Sequence, residues 1–412
     1  MKRLLILGAG TAGTMAANKL RDRLSADEWH ITVVEPSDTH KYQPGYLFIP
    51  FGTYKPSQVV KKTKRLLDKR VEWIVGEVDK VEGDENKVVL VDGTELMYDQ
   101  LIIATGTHPR RDQTDGFESD EYGKTIHDFY TLEGATQLHE VLSRWEGGRL
   151  VMNVVEMPIK CPVAPLEFLF LADAYFTEKG MRDKVELIYA TPLDAAFTKP
   201  VAAKHLGDML ETRGIKVEPD FMTMEADPER NVLVSYDERE IPYEILVTVP
   251  VNMGADFVER SGLGDEFNHV RVDKSTFLSE DFDNIFALGD AGNIPTSKAG
   301  SVAHFAIDVF VENFTEHVAG RPMREAFDGH ANCFIESGHG KGLLIDFNYD
   351  VEPLPGKFPF PGVGPFSLLE ESEANHWGKM MFKWMYWNVL LPGRELPLEA
   401  EMSMAGKEEV PA

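Results

Sequence analysis

The chain opens with two short apolar runs separated by a stretch of helical periodicity. Residues 3–8 read RLLILG and residues 31–35 read ITVVE, and compact runs of this kind are typical of buried parallel strands. From residue 15 to residue 24 the apolar positions follow the spacing of a helix. The pattern predicts a β–α–β unit and an α/β fold built on a parallel sheet.

A glycine-rich turn joins the first predicted strand to the helix. Gly8, Gly10 and Gly13 have the G-x-G-x-x-G spacing, and Glu35 ends the second strand 22 residues beyond Gly13. Glycines permit a tight turn and a close approach of the backbone to a pyrophosphate, and the helix N-terminus attracts that negative charge. An acid at the end of the second strand accepts hydrogen bonds from a ribose diol. These four residues predict a dinucleotide-binding site.

Two later segments resemble the flavin contacts of flavoproteins with two dinucleotide-binding domains. Thr105 and Gly106 follow a buried strand, and the strand that begins at Asn284 ends in Gly289 and Asp290. Their order along the chain favours FAD over NAD at the first site. We expect the cofactor to contact Gly8, Gly10, Gly13, Glu35, Val78, Thr105, Gly106, Gly289, Asp290 and Lys298.

The same spacing predicts that the FAD-binding domain is split. Residues 1–108 and 275–325 are expected to form it, residues 109–274 a second Rossmann-like domain, and residues 326–412 a C-terminal region. In flavoproteins that use NAD(P)H, the inserted domain carries its own glycine motif. Here the strand at residues 149–155 runs into prolines and a cysteine, so we expect no nicotinamide cofactor.

Composition narrows the classes of function. Apolar residues make up 43% and charged residues 27% of the 412 residues, which is typical of a folded globular protein. The net charge of −26 makes nucleic acid an unfavourable partner, although an acidic surface also serves solubility alone. Only two cysteines are present, which excludes a disulfide-stapled scaffold and a Cys₄ metal or iron–sulfur site, and we expect no metal.

The two cysteines occupy informative positions. Cys161 precedes a helix predicted at residues 165–175 and stands where the second glycine motif is missing, and Cys333 follows 172 residues later. The helix dipole is expected to lower the pKa of the Cys161 thiol. Either cysteine alone is more often an inert buried residue. As a pair they predict a redox dithiol beside the flavin, which relays two electrons by thiol–disulfide exchange.

The surroundings of both cysteines resemble those in sulfide:quinone oxidoreductases. The resemblance covers nearly the whole chain. Besides the FAD segments, it rests on residues 161–168 (CPVAPLEF), 332–334 (NCF), 41–46 (KYQPGY) and 295–300 (PTSKAG). It implies a flavoenzyme in which sulfide attacks a Cys161–Cys333 disulfide or sulfur-bridged form. Two electrons then pass through FAD to quinone, and the sulfur leaves as polysulfide or elemental sulfur.

The resemblance also implies roles for single residues. Cys333 is the thiol nearer the flavin, Cys161 is the sulfur carrier, and Glu167 handles protons, although an ordinary helix-exposed or salt-bridged glutamate is the alternative for Glu167. Gly300 and Phe334 are expected to contact quinone, and Lys298 to steady the charge of the reduced flavin. Many family members have a third cysteine, in some bonded to the flavin. Alignment places Tyr130 there, so FAD is expected to be non-covalent. A homo-oligomer is also expected.

The C-terminal region carries an amphipathic segment. Residues 376–391 read HWGKMMFKWMYWNVLL, with three of the six tryptophans of the chain, and His376, Lys379 and Lys383 fall on one helical face. They form a narrow basic stripe on an amphipathic helix, and Trp, Tyr and Lys favour a helix that lies in a membrane surface. A core helix or a dimer contact is the alternative. Sixteen residues are too few to cross a bilayer. We expect an apolar loop at residues 353–369, lining a quinone channel or serving as an ordinary loop.

Two other segments are interpreted from charge. Residues 55–70 carry seven Lys or Arg, and we expect a helix with a basic face there, either simply solvated or attracted to anionic lipid. Residues 397–412 are polar and acidic and predict a loose tail. The first apolar run passes directly into the glycine motif, so it is interpreted as a strand and not as a signal peptide. A peripheral, monotopic membrane protein is therefore expected, with the cytoplasmic face favoured.

Three other functions stay open at this point. A flavocytochrome c sulfide dehydrogenase subunit shares the cysteine pair but passes electrons to haem, and such proteins are normally exported. A type 2 NADH:quinone oxidoreductase needs the second glycine motif. A non-enzymatic flavin redox sensor uses the cysteines only as a switch.

Overall fold

The first part of the chain builds most of one sheet. The structure is a computed structural model and describes residues 1–324, 326–360, 362–396 and 398–408. In chain order, the first elements are β1 Lys2–Leu7, α1 Thr11–Arg23, β2 Trp29–Glu35, β3 Thr39–Lys41, β4 Val60–Lys62, β5 Glu72–Val75, β6 Val78–Glu82, β7 Lys87–Leu90, β8 Glu95–Met97 and β9 Gln100–Ile103.

The middle of the chain contributes a second set of strands and four helices. In chain order, they are β10 His108–Arg110, β11 Ile126–His127, α2 Leu132–Arg144, β12 Gly148–Val154, α3 Ala164–Glu178, β13 Val185–Ala190, α4 Pro200–Thr212, β14 Lys216–Glu218, β15 Thr223–Asp227, β16 Val232–Ser235, β17 Glu240–Pro242, β18 Ile245–Val249, β19 Val251–Met253 and α5 Asp256–Arg260.

The remaining elements return to the first sheet and then form a sheet of their own. They are β20 Ile285–Ala287, α6 Gly300–Val318, β21 Ala331–Gly338, β22 Lys341–Phe347, β23 Gly356–Phe360, β24 Gly364–Leu368 and α7 Glu373–Met385, which continues into a π-helical turn at Tyr386–Leu390.

Two parallel five-stranded sheets confirm the predicted α/β class with Rossmann-like units. The first has the order β20-β9-β1-β2-β5 and the second the order β11-β18-β12-β13-β14. The four-residue run Leu4–Leu7 in β1 is almost fully buried, as a central parallel strand requires. Because the strands are parallel, the turns after β1, β2, β9 and β20 meet at one edge of the first sheet.

The C-terminal sheet has the order β21-β22-β24-β23, and α7 packs on it. Residues 353–369 were expected to form a loop, but strands β23 and β24 occupy much of this stretch, and they pair from Gly356 opposite Leu368 to Phe360 opposite Gly364. Residue 361 lies outside the described residues. Cys333 pairs with Ile345 across β21 and β22, so it is held on a regular sheet.

The stripe of basic residues on α7 packs against the protein, and Lys383, its third member, is partly buried beside the ring of Tyr54. His376 and Lys379 point inward to the glutamates Glu336 and Glu167, with ion-pair distances of 2.8 and 2.7 Å. The exposed face instead carries Trp377, Met381 and Trp384, which are 64%, 57% and 63% exposed. In the described ranges, no helix is both long and apolar enough to cross a bilayer.

The end of the chain is docked, which contradicts the predicted loose tail for residues 398–408. The amide of Lys357 donates to the carbonyl of Gly406 over 2.8 Å, and the amide of Glu408 donates to the carbonyl of Pro355 over 2.8 Å. The side chain of Lys407 is 1% exposed and pairs with Asp346, which is equally buried. Residues 397 and 409–412 lie outside the described part of the chain.

The basic segment 55–70 is not a helix. It consists of short 3₁₀ turns at Pro56–Gln58 and Thr63–Arg65 on either side of β4. The amide of Thr63 donates to the carbonyl of Asp38, so backbone pairing with the segment after β2 replaces a helical hydrogen bond there. Its lysines nevertheless stay exposed.

We expect Lys407→Ala to lower the free energy of unfolding by about 3 kcal/mol, because it leaves the buried Asp346 carboxylate short of a partner. Equilibrium denaturation of the flavin-loaded protein measures this. Lys341→Ala, at an exposed lysine that begins β22, is the control and is expected to change stability little. Equal effects of the two substitutions would contradict a docked C-terminus.

Candidate active site

The glycine turn after β1 has the shape of a ligand cradle. A Cβ on Gly13 would lie 2.0 Å from the carbonyl oxygen of Gly8, and one on Gly8 would lie 2.5 Å from the carbonyl oxygen of Ala104. These two glycines therefore serve close packing of helix and strands. A Cβ on Gly10 would meet nothing within 4 Å, which leaves the N-terminal side of α1 open. The turn can thus receive a pyrophosphate at the helix N-terminus.

Glu35 lies at the carboxyl end of β2, directly beside that turn. Its carboxylate accepts hydrogen bonds from the amides of Ala9 at 2.8 Å and Ser37 at 3.0 Å. The amide of Gly76 donates to the carbonyl of Glu35, which brings the start of β6, and with it Val78, to the same edge of the sheet. Both predicted residues therefore stand at the edge that carries Gly8.

The turns after β9 and β20 add polar groups at this edge. The hydroxyl oxygen of Thr105 is buried and has no hydrogen-bond partner among the described residues. A Cβ on Gly106 would meet nothing within 4 Å. Burial raises the pKa of Asp290, with Lys298 acting in the opposite direction. An orphaned hydroxyl and open glycine positions fit a bound cofactor.

The side chain of Lys298 is hydrogen-bonded to the protein backbone. Its ammonium donates to the carbonyls of Asp290 and Gly292, both at 2.9 Å. Burial lowers its pKa, with the charge of Asp290 opposing the shift. The side chain therefore stiffens the turn after β20 and places one positive charge beside it.

The loop that precedes α3 holds Cys161 next to Lys298. The amide of Cys161 donates to the carbonyl of Lys298 over 2.7 Å, and its φ of 47° lies in the left-handed region that residues with a Cβ seldom adopt. The expected lowering of its thiol pKa is wrong for the free thiol. Burial raises that pKa, and the charges of Glu167 and Cys333 add to the rise.

Cys333 lies on β21 close to the start of α6. Its sulfur is 3.8 Å from the hydroxyl oxygen of Ser301. Burial raises its pKa to about 11, which Ser301 and Lys379 partly oppose. Each thiol therefore feels the charges of Glu167 and Lys379, and the four groups form one cluster in which both cysteines are partly buried.

The ion pair between Glu167 and Lys379 is the centre of this cluster. One carboxylate oxygen of Glu167 accepts from the Lys379 ammonium at 2.7 Å and from the amide of Glu336 at 2.6 Å. The ammonium also donates to the carbonyl of Phe334 over 2.8 Å. Burial opposes the charge of Lys379, but Glu167 and the thiols raise its pKa overall. Glu167 is thus a buried, paired acid and not an exposed helix residue.

A second acid–base pair adjoins the first. The carboxylate of Glu336 lies 2.8 Å from Nδ1 of His376. Burial raises the pKa of Glu336, and Glu167 adds to the rise. Neither Glu336 nor His376 was assigned a role at this site from sequence.

Comparison with known proteins finds similar oxidoreductases both by sequence and by structure. Residues 2–146 match the family described as pyridine nucleotide-disulphide oxidoreductase. The mitochondrial sulfide:quinone oxidoreductase of Mus musculus is 27% identical over 396 residues, which cover 95% of this chain and 86% of that protein. The X-ray structure of the sulfide:quinone oxidoreductase of Aquifex aeolicus has a TM-score of 0.79 at 18% identity, and covers 94% of this chain and 92% of that one.

The resemblance to sulfide:quinone oxidoreductases is confirmed. The chain is a flavin-dependent oxidoreductase. A type II NADH:quinone oxidoreductase of Staphylococcus saprophyticus is also similar, at 24% identity over 379 residues, but it covers a smaller share of this chain, 83%.

The two residues expected to contact quinone in sulfide:quinone oxidoreductases flank the thiol cluster. Gly300 begins α6, and a Cβ there would meet nothing within 4 Å. The ring of Phe334 lies against Gly378 of α7, and its centroid is 5.0 Å from that of Phe366. The thiol cluster is therefore open beside Gly300 and is bounded by aromatic rings at Phe334.

Tyr130, which the alignment places at the position of a third cysteine, contacts the loop that carries Cys161. Its hydroxyl donates to the carbonyl of Cys161 over 3.2 Å. Burial raises the pKa of this phenol, and the charge of Cys161 adds to the rise. A tyrosine therefore occupies the neighbourhood in which the resemblance expects a cysteine.

The role of α7 in the cluster was not expected from the sequence. The signal was present in the spacing of His376 and Lys379, which fall on one face of a helix otherwise rich in apolar residues. What the sequence lacked was the identity of their partners, which come from α3 and β21, far away along the chain.

Proposed function

We propose that the protein oxidises sulfide with FAD and passes two electrons to quinone, with Cys161 and Cys333 as its redox pair. The observation that carries this proposal is the position of the only two cysteines, both partly buried, in one cluster with Glu167 and Lys379. The names of the relatives, which are sulfide:quinone oxidoreductases over nearly the full chain, support the same reaction.

The thiols are assigned complementary roles. Sulfide attacks the oxidised pair, and the new sulfur–sulfur bond forms on Cys161 while Cys333 leaves as the thiolate nearer the flavin. The ammonium of Lys379 opposes the rise in the pKa of both thiols, so it favours the thiolate that this exchange needs. Repeated attack lengthens the sulfur chain until it is released as polysulfide or elemental sulfur.

The residues at the edge of the first sheet suit FAD held without a covalent bond. Gly10 and the N-terminus of α1 are assigned to the pyrophosphate, Glu35 to the ribose, and Thr105 and Asp290 to the flavin half. Tyr130 offers no thiol for a covalent link. When bound, FAD accepts two electrons at a time and transfers them to a second acceptor.

Quinone is assigned to the open side between Gly300 and Phe334. Quinones are confined to lipid, so this assignment requires contact with a membrane. The exposed Trp377, Met381 and Trp384 on α7 supply an apolar face of the kind that enters the interface. We infer a peripheral membrane protein on this ground.

The basic segment 55–70 adds an electrostatic reason to infer contact with a membrane. Lys61 lies 4.6 Å from the ring centroid of Trp387, just beyond α7, and Lys383 of α7 lies 3.6 Å from that of Tyr54. The positive charges of the segment are therefore next to the helix with the exposed tryptophans. In a chain with a net charge of −26, this local reversal favours anionic lipid head groups.

The reaction is tested by anaerobic mixing of the flavin-loaded protein with sulfide or, separately, with NADH. We expect sulfide alone to bleach the visible flavin absorbance and a short-chain quinone to restore it. Cys333→Ala and Cys161→Ala should each abolish bleaching by sulfide. Bleaching by NADH and not by sulfide would instead support the type II NADH:quinone oxidoreductase, and a flavin inert to quinone would support a redox sensor.

We expect Gly10→Ala to weaken FAD binding by about tenfold or more, because its methyl group would press on the pyrophosphate. The apoprotein should unfold as before, since that methyl group meets no protein atom within 4 Å. Fluorescence titration of the apoprotein with FAD measures the affinity. Gly207→Ala in α4, where the nearest atom is 3.9 Å away, is the control and should bind FAD normally.

The double substitution Trp377→Ser and Trp384→Ser is expected to reduce binding to vesicles by about tenfold or more, because both indole rings lose their place in the interface. Co-sedimentation with phosphatidylglycerol vesicles and with phosphatidylcholine vesicles measures it, and the anionic vesicles should bind the unaltered protein more tightly. Tyr236→Ser, at a residue 71% exposed and distant from α7 along the chain, is the control. Unchanged binding of the double variant would exclude α7 as the contact.

A further inference from the structure

Glu167 is the more deeply buried member of the ion pair at the thiols, with a side chain that is 1% exposed. The Oε1 atom of Glu167 is occupied by Lys379 and by the amide of Glu336, while its Oε2 atom is buried and has no partner in the part of the chain that the structure describes. A carboxylate with one orphaned buried oxygen is a poor resting state but a suitable place to receive a proton.

Glu336 lies on the outer side of this cluster. It contributes its amide to Glu167, so the two acids are joined through one residue of β21. The Oε1 atom of Glu336 lies 2.8 Å from Nδ1 of His376, and its Oε2 atom is also buried without a partner among the described residues. Two neighbouring acids, each with a free buried oxygen, provide successive positions for one proton.

His376 connects these acids to the surface. Its side chain is 22% exposed, whereas that of Glu336 is 3% exposed. His376 and Lys379 are three residues apart on α7, so they lie on one face of the helix, with His376 beside Glu336 and Lys379 beside Glu167. An imidazole can take up a proton on one nitrogen and release one from the other, which suits a position between water and a buried acid.

We propose that Glu336 and His376 relay protons between solvent and the Glu167–Lys379 pair at the thiols. The relay rests on the proposed function, because that reaction creates the need for it. When sulfide enters as hydrosulfide, the balance is HS⁻ + H⁺ + quinone → S⁰ + quinol, with S⁰ added to the sulfur chain. Two electrons pass from sulfide to quinone, one proton comes from hydrosulfide, and the second proton comes from solvent.

The charged and titratable groups around the relay are few and identified. The pKa of Glu336 is raised by the charge of Glu167 of α3 and lowered by His376 and Lys379 of α7. The charge of Glu336 in turn raises the pKa of Tyr54, which Lys379 lowers. Burial is the main reason that the pKa of Glu336 is raised, so the acid is able to hold a proton at higher pH than an exposed glutamate. His376 and Glu336 are relay residues that act through Glu167, and neither is assigned a contact with substrate.

The test measures quinone reduction by sulfide, with the flavin-loaded protein in weakly buffered solution. Glu336→Gln keeps the shape of the side chain but cannot carry the proton, and His376→Ala removes the imidazole. Both should slow turnover by about tenfold or more. Added imidazole should restore turnover in His376→Ala and have no effect on Glu336→Gln. Glu373→Gln, in the first turn of α7 and exposed, is the control and should leave turnover and its pH profile unchanged.

Three results would overturn the relay. Turnover of Glu336→Gln with the rate and pH profile of the unaltered protein would show that the acid carries no proton. Slow turnover in His376→Ala that imidazole does not restore, together with altered flavin absorbance or stability, would show that the pair only fastens α7 to the sheet. If the unaltered protein fails to reduce quinone with sulfide, the proposed function falls and the relay with it, which distinguishes that failure from the other two.

Discussion

The ion pair between Lys379 and Glu167 is the contact on which the arrangement of the thiol site depends. It joins α7, α3 and, through the amide of Glu336, β21, and these elements come from three distant parts of the chain. Buried ions lose their hydration, and their mutual attraction compensates only when the geometry and the remaining hydrogen bonds are good. Here the ammonium also has the carbonyl of Phe334, so the residue next to Cys333 is held by the same charge.

This constraint determines how α7 is oriented. A helix with Trp377, Met381 and Trp384 on one face and His376 and Lys379 on another has two possible orientations on a protein surface. Pairing of the two basic residues with buried acids leaves the apolar face outside. The cost of exposing two tryptophans to water is then offset only if another phase or partner covers them. The same contacts that hold the thiol site together therefore leave an apolar surface on the outer face of α7.

The sequence predicted best the features that depend on neighbouring residues. Strand, glycine turn, helix and terminal acid follow one another within the first 35 residues, and the local pattern determined them correctly, as did the helix after Cys161. Prediction from the sequence failed where a partner far away along the chain determines the local structure. Lys407 is a charged residue in a polar tail by composition, and only the buried Asp346 explains its docking. The basic segment 55–70 fails as a helix for the same reason, because its backbone pairs with the strand after β2.

The thiols illustrate why chemistry is harder to predict than placement. A helix N-terminus favours a thiolate, and that general rule led to an expected low pKa for Cys161. Desolvation outweighs it and raises the pKa of both thiols, and the neighbouring Glu167 adds to the rise. Thiolate character then depends on the balance between Lys379 and Glu167, so protonation of that acid and ionisation of the two thiols are linked through one shared ammonium.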